Sequence, residues 1–203
     1  MDVDIEALEP VNRAWGERVA ALTPEQWATP TRLPGWTVQD LVAHMAPDAQ
    51  VLDFLRGEQV ESPAVTTAPH WLRTMNEPGG PAHTMADDLA EMAQQAAAVG
   101  RETLVGYFAD HGPTMLAEFR AAEPAAGLRH PLLGSVSFRA IADTMTVEGT
   151  VHLLDLIAAI GGEPVPEAAL RRTVEILSAV PDSVTFIEAA TGRSKAPVLP
   201  VMR

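Results

Sequence analysis

A chain of 203 residues, 47% of them hydrophobic, has apolar material for one sizeable core with a small appendage and does not have the composition of a disordered segment. Its formal charge of −13, with no Lys/Arg stripe, produces a field that repels phosphate backbones and argues against a nucleic-acid partner. The absence of cysteine excludes disulfides, thiolate metal sites and a cysteine nucleophile, so any metal must be held by nitrogen and oxygen and any thiol must be a small molecule.

The acidic start MDVDIEALEP lacks the basic-then-apolar order of a secretory signal. Apolar residues Ile5, Leu8, Val11, Trp15, Val19 and Leu22 then recur at steps of three and four, which predicts an amphipathic first helix over about 3–22. Thr23-Pro24-Glu25-Gln26 reads as a capping box with Pro at the first helical position, and predicts a short turn carrying Trp27 as a packing anchor. Leu33-Pro34-Gly35-Trp36 is a turn, with Trp36 a second anchor. Thr37 and Asp40 cap a second helix containing Leu41, Val42 and Met45. Pro47 interrupts this helix just after His44, and Val51, Leu52 and Leu55 resume it to about Gly57.

Residues 58–82, with Pro63, Pro69, Pro78 and Pro81, form a long connection with helical periodicity only around His70 to Met75; a loop of that length can border a site or simply cross the fold. A third, Ala-rich helix is predicted over 85–110, with a further helical piece from Pro113 to about Ala122. A fourth covers about 138–160 and stops at Gly161-Gly162, and a fifth covers 167–179. The VTFIEAATGR stretch does not separate strand from helix. Four long helices with one long crossover predict an all-α four-helix bundle over 1–162, with 163–203 a short helix and extended tail packing on it. The longest apolar stretch, Val151 to Ile160, is broken by Asp155 and is too short to span a bilayer, so a cytoplasmic monomer or homodimer without membrane contact is expected.

Glu148 and His152 lie one turn apart on the fourth helix, which is apolar almost all round and therefore central. A carboxylate in such surroundings requires a partner. His44 sits at the bundle-facing edge of the second helix, and two residues from one helix with one from another make a His2Glu set of the kind that leaves a position open on zinc. Spacing alone does not choose between this set and an ordinary helical pair beside an unrelated histidine.

The stretch LPGWTVQDLVAHM resembles the Trp-Thr-Val-x-Asp-Leu-x-x-His signature of the mycothiol-dependent maleylpyruvate isomerase family, a branch of the DinB-like metal-binding four-helix proteins. VEGTVHLLDLIAAIG resembles the Glu-x-x-x-His-x-x-Asp element on that family's last bundle helix. The resemblance covers about residues 5–162. It implies a DinB-like bundle in which His44, Glu148 and His152 bind zinc or another divalent metal, and it implies mycothiol or a similar small thiol as partner. Asp40 and Asp155 match acidic positions of these motifs and would orient the histidines, although Asp40 also suits a purely capping role. Asp48 lies one turn beyond His44, and Arg139, Arg193 and Arg203 are candidates for an anionic substrate or for simple surface pairing. His70, His83, His111 and His130 receive no role. Three functions remain open: thiol activation for S-transfer or isomerisation of a small electrophile, hydrolysis by metal-activated water with Asp48 or Asp155 as base, and non-catalytic metal or small-molecule binding.

Overall fold

The structure is a computed structural model that describes residues 4–123, 125–195 and 198. Helix α1 (Leu8–Ala21) buries Leu8, Val11, Trp15 and Val19, the stripe its spacing predicts, and Ile5 joins the core just before it. The short α2 (Pro24–Trp27) and α3 (Val38–Met45) both begin with complete capping boxes, Thr23 with Gln26 and Thr37 with Asp40. At Ala46 the backbone becomes extended, and α4 (Ala49–Leu55) restarts behind an Asp48 cap, so Pro47 separates two helices. Strand β1 (Gln59–Val60) and helix α5 (Ala68–Asn76) occupy the long connection.

The single helix expected over 85–110 is corrected. After the short α6 (Pro81–Thr84), α7 (Ala86–Ala97) packs along α3 and ends before Gly100, whose φ of +89° takes the chain out of helical geometry. The bundle's third rod is instead α8 (Arg101–Gly106), a π-helical turn at Tyr107–His111, and α9 (Gly112–Ala121), which together pack on α1, α3 and α4. Pro113 offers no backbone donor, and the π turn immediately before it absorbs the missing hydrogen bond.

Strands β2 (Gly127–His130) and β3 (Gly134–Ser137) form a hairpin that β1 extends into a three-stranded antiparallel sheet in the order β1-β2-β3. The sheet was not anticipated by the all-α reading; it ties the crossover to the start of the last bundle helix, α10 (Phe138–Ile160), which Ser137 caps. Around α10 lie α1, α3 and α5, and the C-terminal α11 (Glu167–Ser178) lies against it too. Trp15 donates its indole N–H to the Gly149 carbonyl at 2.9 Å. A Cβ on Gly149 would meet both Val11 methyls at 3.4 Å, so the glycine allows α1 to seat closely on α10. The ambiguous segment is helical, α12 (Ser183–Ala190), with no buried residue; the end of the expected tail, 196–197 and 199–203, lies outside the described residues. No helix among the described residues is long and apolar enough to cross a membrane.

Candidate metal centre

His44 stands in the last turn of α3, and Glu148 and His152 stand one turn apart near the middle of α10. The packing of α3 against α10 brings the three side chains together: one donor atom from each lies within 4.8 Å of the others. The two imidazoles meet edge to face with centroids 5.0 Å apart, and His152 Nε2 is 3.4 Å from Glu148 Oε2. Donors about 2.0–2.2 Å from a tetrahedral ion are themselves roughly 3.4 Å apart, so the His152–Glu148 spacing already suits one ion and His44 needs only a small approach. Two neutral nitrogens and one carboxylate also form a donor set zinc accepts.

The orientation of His152 is fixed from behind. Its Nδ1 donates to Asp155 Oδ2 at 2.8 Å, which leaves Nε2 facing Glu148 and His44. Asp155 is 2% exposed, and its other oxygen accepts from Arg32 Nε at 2.5 Å. Burial alone would raise the Asp155 pKa, but the hydrogen bonds from His152 and Arg32 and their charges hold it below the usual carboxylate range. For His152 burial works against the cation, yet the Asp155 and Glu148 carboxylates outweigh it and bring its pKa up to about 9 in the metal-free protein. His44 is open to the cleft on one edge but crowded by protein elsewhere. Desolvation pushes its pKa down and the neighbouring His152 charge adds to the effect, with Glu148 opposing. One imidazole is thus kept ready as a neutral donor while the other carries a proton that an ion would replace.

The trio forms part of the wall of a cleft of about 910 Å³, within the range of small-molecule sites. Trp36, Met45, Pro47, Trp71, Met75 and Val151 also line it. Trp36 therefore does more than anchor a turn: its ring packs edge-on against His44 at 5.3 Å. Trp27, in contrast, is buried as expected.

The structure separates the remaining candidates. Asp40 accepts from Thr37 N and Oγ1 at 2.8 and 2.6 Å, and Asp48 accepts from Val51 N at 3.0 Å, so both carboxylates cap helices. Arg139 lies 4.0 Å from Asp143. Arg193 points to the nearby Thr191 carbonyl; Arg203 lies outside the described residues. His111 donates to the Pro47 carbonyl, and His130 Nδ1 accepts from the amides of Leu132 and Leu133. His70 is exposed on α5, while His83 reaches the rim of the cleft. One contributor, Arg32, has no counterpart in the sequence reading, and the α5 wall carrying Trp71 and Met75 was foreseen only as a connection that can border a site. The periodicity around 70–75 marked the helix but not the direction it faces.

A family model described as the mycothiol maleylpyruvate isomerase N-terminal domain matches residues 8–157. The chain belongs to this family. The crystal structure of the mycothiol-dependent maleylpyruvate isomerase has a similar fold, with a TM-score of 0.51 and 18% identity over 83% of this chain and 67% of that one. The crystal structure of a histidine-to-alanine mutant of that enzyme gives the same values. Comparison with curated protein sequences gives no significant match. At 18% identity the likeness of the mycothiol-dependent maleylpyruvate isomerase to this chain establishes the DinB-like bundle and assigns no residue its role. The roles rest on the geometry above.

Proposed function

We propose that this protein is a divalent-metal-dependent enzyme that activates a small thiol of the mycothiol type for transfer to, or isomerisation of, a small electrophile. The observation that carries the reading is the convergence of His44, Glu148 and His152 at a large cleft in a chain with no cysteine of its own. A zinc ion held by these residues supplies Lewis acidity that lowers the pKa of a thiol and favours its anion. His44 from α3 and Glu148 from α10 would hold the ion together with His152 Nε2, while Asp155 accepts the His152 Nδ1 proton. The apolar walls keep water from competing with sulfur. Addition of the thiolate to a conjugated carbon–carbon double bond would break its π bond and move the electron pair towards the conjugated carbonyl; protonation from solvent then leaves the thioether (transfer), whereas rotation about the new single bond and expulsion of the thiolate restores the double bond (isomerisation). Family membership supports the thiol. In the same reading residues 1–162 form the metal-binding bundle, and 163–203 an extension packed on it.

The hydrolytic alternative loses both of its candidate bases, because Asp48 caps α4 and Asp155 is taken by His152 and Arg32. The deciding experiment measures zinc content and turnover with and without added mycothiol, for wild type and His152→Ala. Zinc at one per chain, lost in the variant, with turnover only when thiol is present, is expected. Thiol-independent turnover, or a wild type that binds no divalent metal, removes the reading.

A further inference from the structure

Trp71 stands on α5 in the wall of the cleft, and its ring is backed by a histidine that lies outside the metal cluster. His130 is the last residue of β2, and its imidazole is wedged between aromatic rings from two helices. Trp71 meets it edge to face with centroids 4.9 Å apart, and Phe54 of α4 does the same at 5.9 Å. The ring also closes the hairpin. His130 pairs with Gly134, whose φ of +72° completes the turn. Within that turn the amides of Leu132 and Leu133 both donate to His130 Nδ1 at 3.2 Å.

Those two bonds fix the chemical state of the ring. A backbone N–H can only donate, so Nδ1 must offer its lone pair, and the proton of the neutral imidazole sits on Nε2. A second proton has to enter at Nδ1. The acceptor of both amides is then lost, and the amide of the buried Leu133 is left facing another N–H. Attraction between a cationic ring and its aromatic neighbours offsets part of this cost. Burial adds to it, and pushes the His130 pKa below its ordinary 6.5. The charged groups of the surrounding elements are exposed or engaged elsewhere. On α4, Asp53 is exposed and Arg56 is paired with Glu118. On α5, His70 is exposed and Arg73 turns to the Val180 and Ala179 carbonyls, while Arg129 of β2 pairs with Glu58.

We propose that His130 is a positioning residue: as a neutral ring it ties the β2–β3 turn to the Trp71 wall of the cleft, and its protonation releases both. The body of α5 stays in place, because Leu72 is buried in an apolar cluster with Val147 and Ile176 and Arg73 holds the Val180 carbonyl. Only the indole loses its backing. The stabilisation is fully present above about pH 6.5 and is lost as pH falls through the lowered pKa of the folded protein. The coupling does not depend on which metal or thiol the cleft takes.

The test follows both partners by NMR in the full-length, zinc-free protein, from about pH 7.5 to about pH 4.5. Ring-nitrogen spectra report the His130 tautomer and its titration, and 5-fluorotryptophan reports Trp71, assigned with Trp71→Phe. An unprotonated Nδ1 at neutral pH is expected, together with a Trp71 resonance that shifts at the His130 midpoint. Protection of the Leu133 amide, corrected for its intrinsic exchange rate, should fall about tenfold across the range. In His130→Asn the side-chain carbonyl still accepts from the turn but does not titrate, so the Trp71 resonance should stay constant. A proton on Nδ1 at neutral pH overturns the proposal, as does unchanged Leu133 protection. So does a Trp71 resonance that follows the His44 midpoint, located with His44→Ala, or a shift that persists in folded His130→Asn. The wild-type readings decide the matter whether or not His130→Asn folds.

Discussion

Helix α10 carries two buried carboxylates, Asp143 near its start and Asp155 near its end, and each meets an arginine from another element. Asp143 is gripped by both arms of Arg172 from α11, at 2.8 and 2.6 Å, and the same guanidinium reaches Glu175. Those partners saturate the site and clamp one helix to another. Asp155 gives one oxygen to Arg32 and the other to His152, whose far nitrogen faces Glu148 and His44. The same device is structural in one place and positioning in the other, and the difference lies in whether one acceptor lobe is passed to an imidazole.

The largest effect is expected where the pair serves only stability. Asp143→Ala leaves Arg172 beside an apolar helix, and removing one partner of a buried pair costs about 3–5 kcal/mol. Because Arg172 is about a third exposed and keeps Glu175, the loss should fall near the bottom of that range, about 3 kcal/mol by denaturant unfolding. Zinc affinity measured by competition with a chelator should be unchanged. A drop in affinity as large as the drop in stability would erase the contrast between the two carboxylates.

Asp155→Asn should show the opposite balance. Loss of the carboxylate that orients a ligating histidine typically lowers metal affinity by about 10–100-fold. The folded population should remain near wild type, since the amide retains the volume and part of the hydrogen bonding. Wild-type zinc affinity in this variant would make Asp155 a mere packing partner of Arg32.

How much of this could be read beforehand follows from the range of the interactions. Helix α10 was legible, because a continuous apolar run and the Gly161-Gly162 stop are both local signals. The pairing of Glu148 with His152 was legible for the same reason. His44 joined them only through a motif resemblance, since no spacing rule links residues about a hundred positions apart. Arg32 was invisible: it lies 123 positions from Asp155, and an isolated arginine in a turn looks like any solvated one. The third helix was misread because the Ala-rich periodicity runs on through Gly100, where the positive φ of the folded chain breaks the helix. The hairpin escaped because its strands of four residues each are too short to show alternation above the loop background.

Alkaline titration separates the two carboxylates further, with a smaller expected effect. In zinc-free protein the His152 pKa is raised above its ordinary 6.5 to about 9. The folded state then holds a proton the unfolded state has released, so this stabilisation is fully present below about pH 6.5 and is lost as pH rises through 9. The loss should amount to about 2.5 kcal/mol between pH 7 and 10, since each tenfold change in proton affinity is worth about 1.4 kcal/mol and most of the rise from 6.5 to about 9 lies above pH 7. Arg172, whose pKa is raised by its hydrogen bond to Asp143 and then by that group's charge, keeps its proton throughout. The slope should therefore survive Asp143→Asn and flatten in Asp155→Asn. Saturating zinc should also flatten it, because metal takes the place of the proton.

The smallest effect should come from Arg32, whose side chain is 57% exposed although its partner is buried. It touches none of the three candidate ligands and acts through Asp155 alone. Arg32→Met keeps the aliphatic stem but removes one of the two partners, His152 being the other, that hold Asp155 ionised, so the carboxylate becomes easier to protonate and less firmly placed. Zinc affinity at pH 7 should fall less than tenfold, a weaker effect than direct loss of the Asp155 carboxylate. The deficit should grow as pH falls, because protonated Asp155 no longer accepts the His152 N–H at full strength. Arg32→Lys should restore most of the affinity if charge is what matters, and little of it if the fixed guanidinium geometry does. An Arg32→Met variant with wild-type affinity from pH 5 to 8 would confine the positioning role to Asp155 and leave Arg32 as a surface pair.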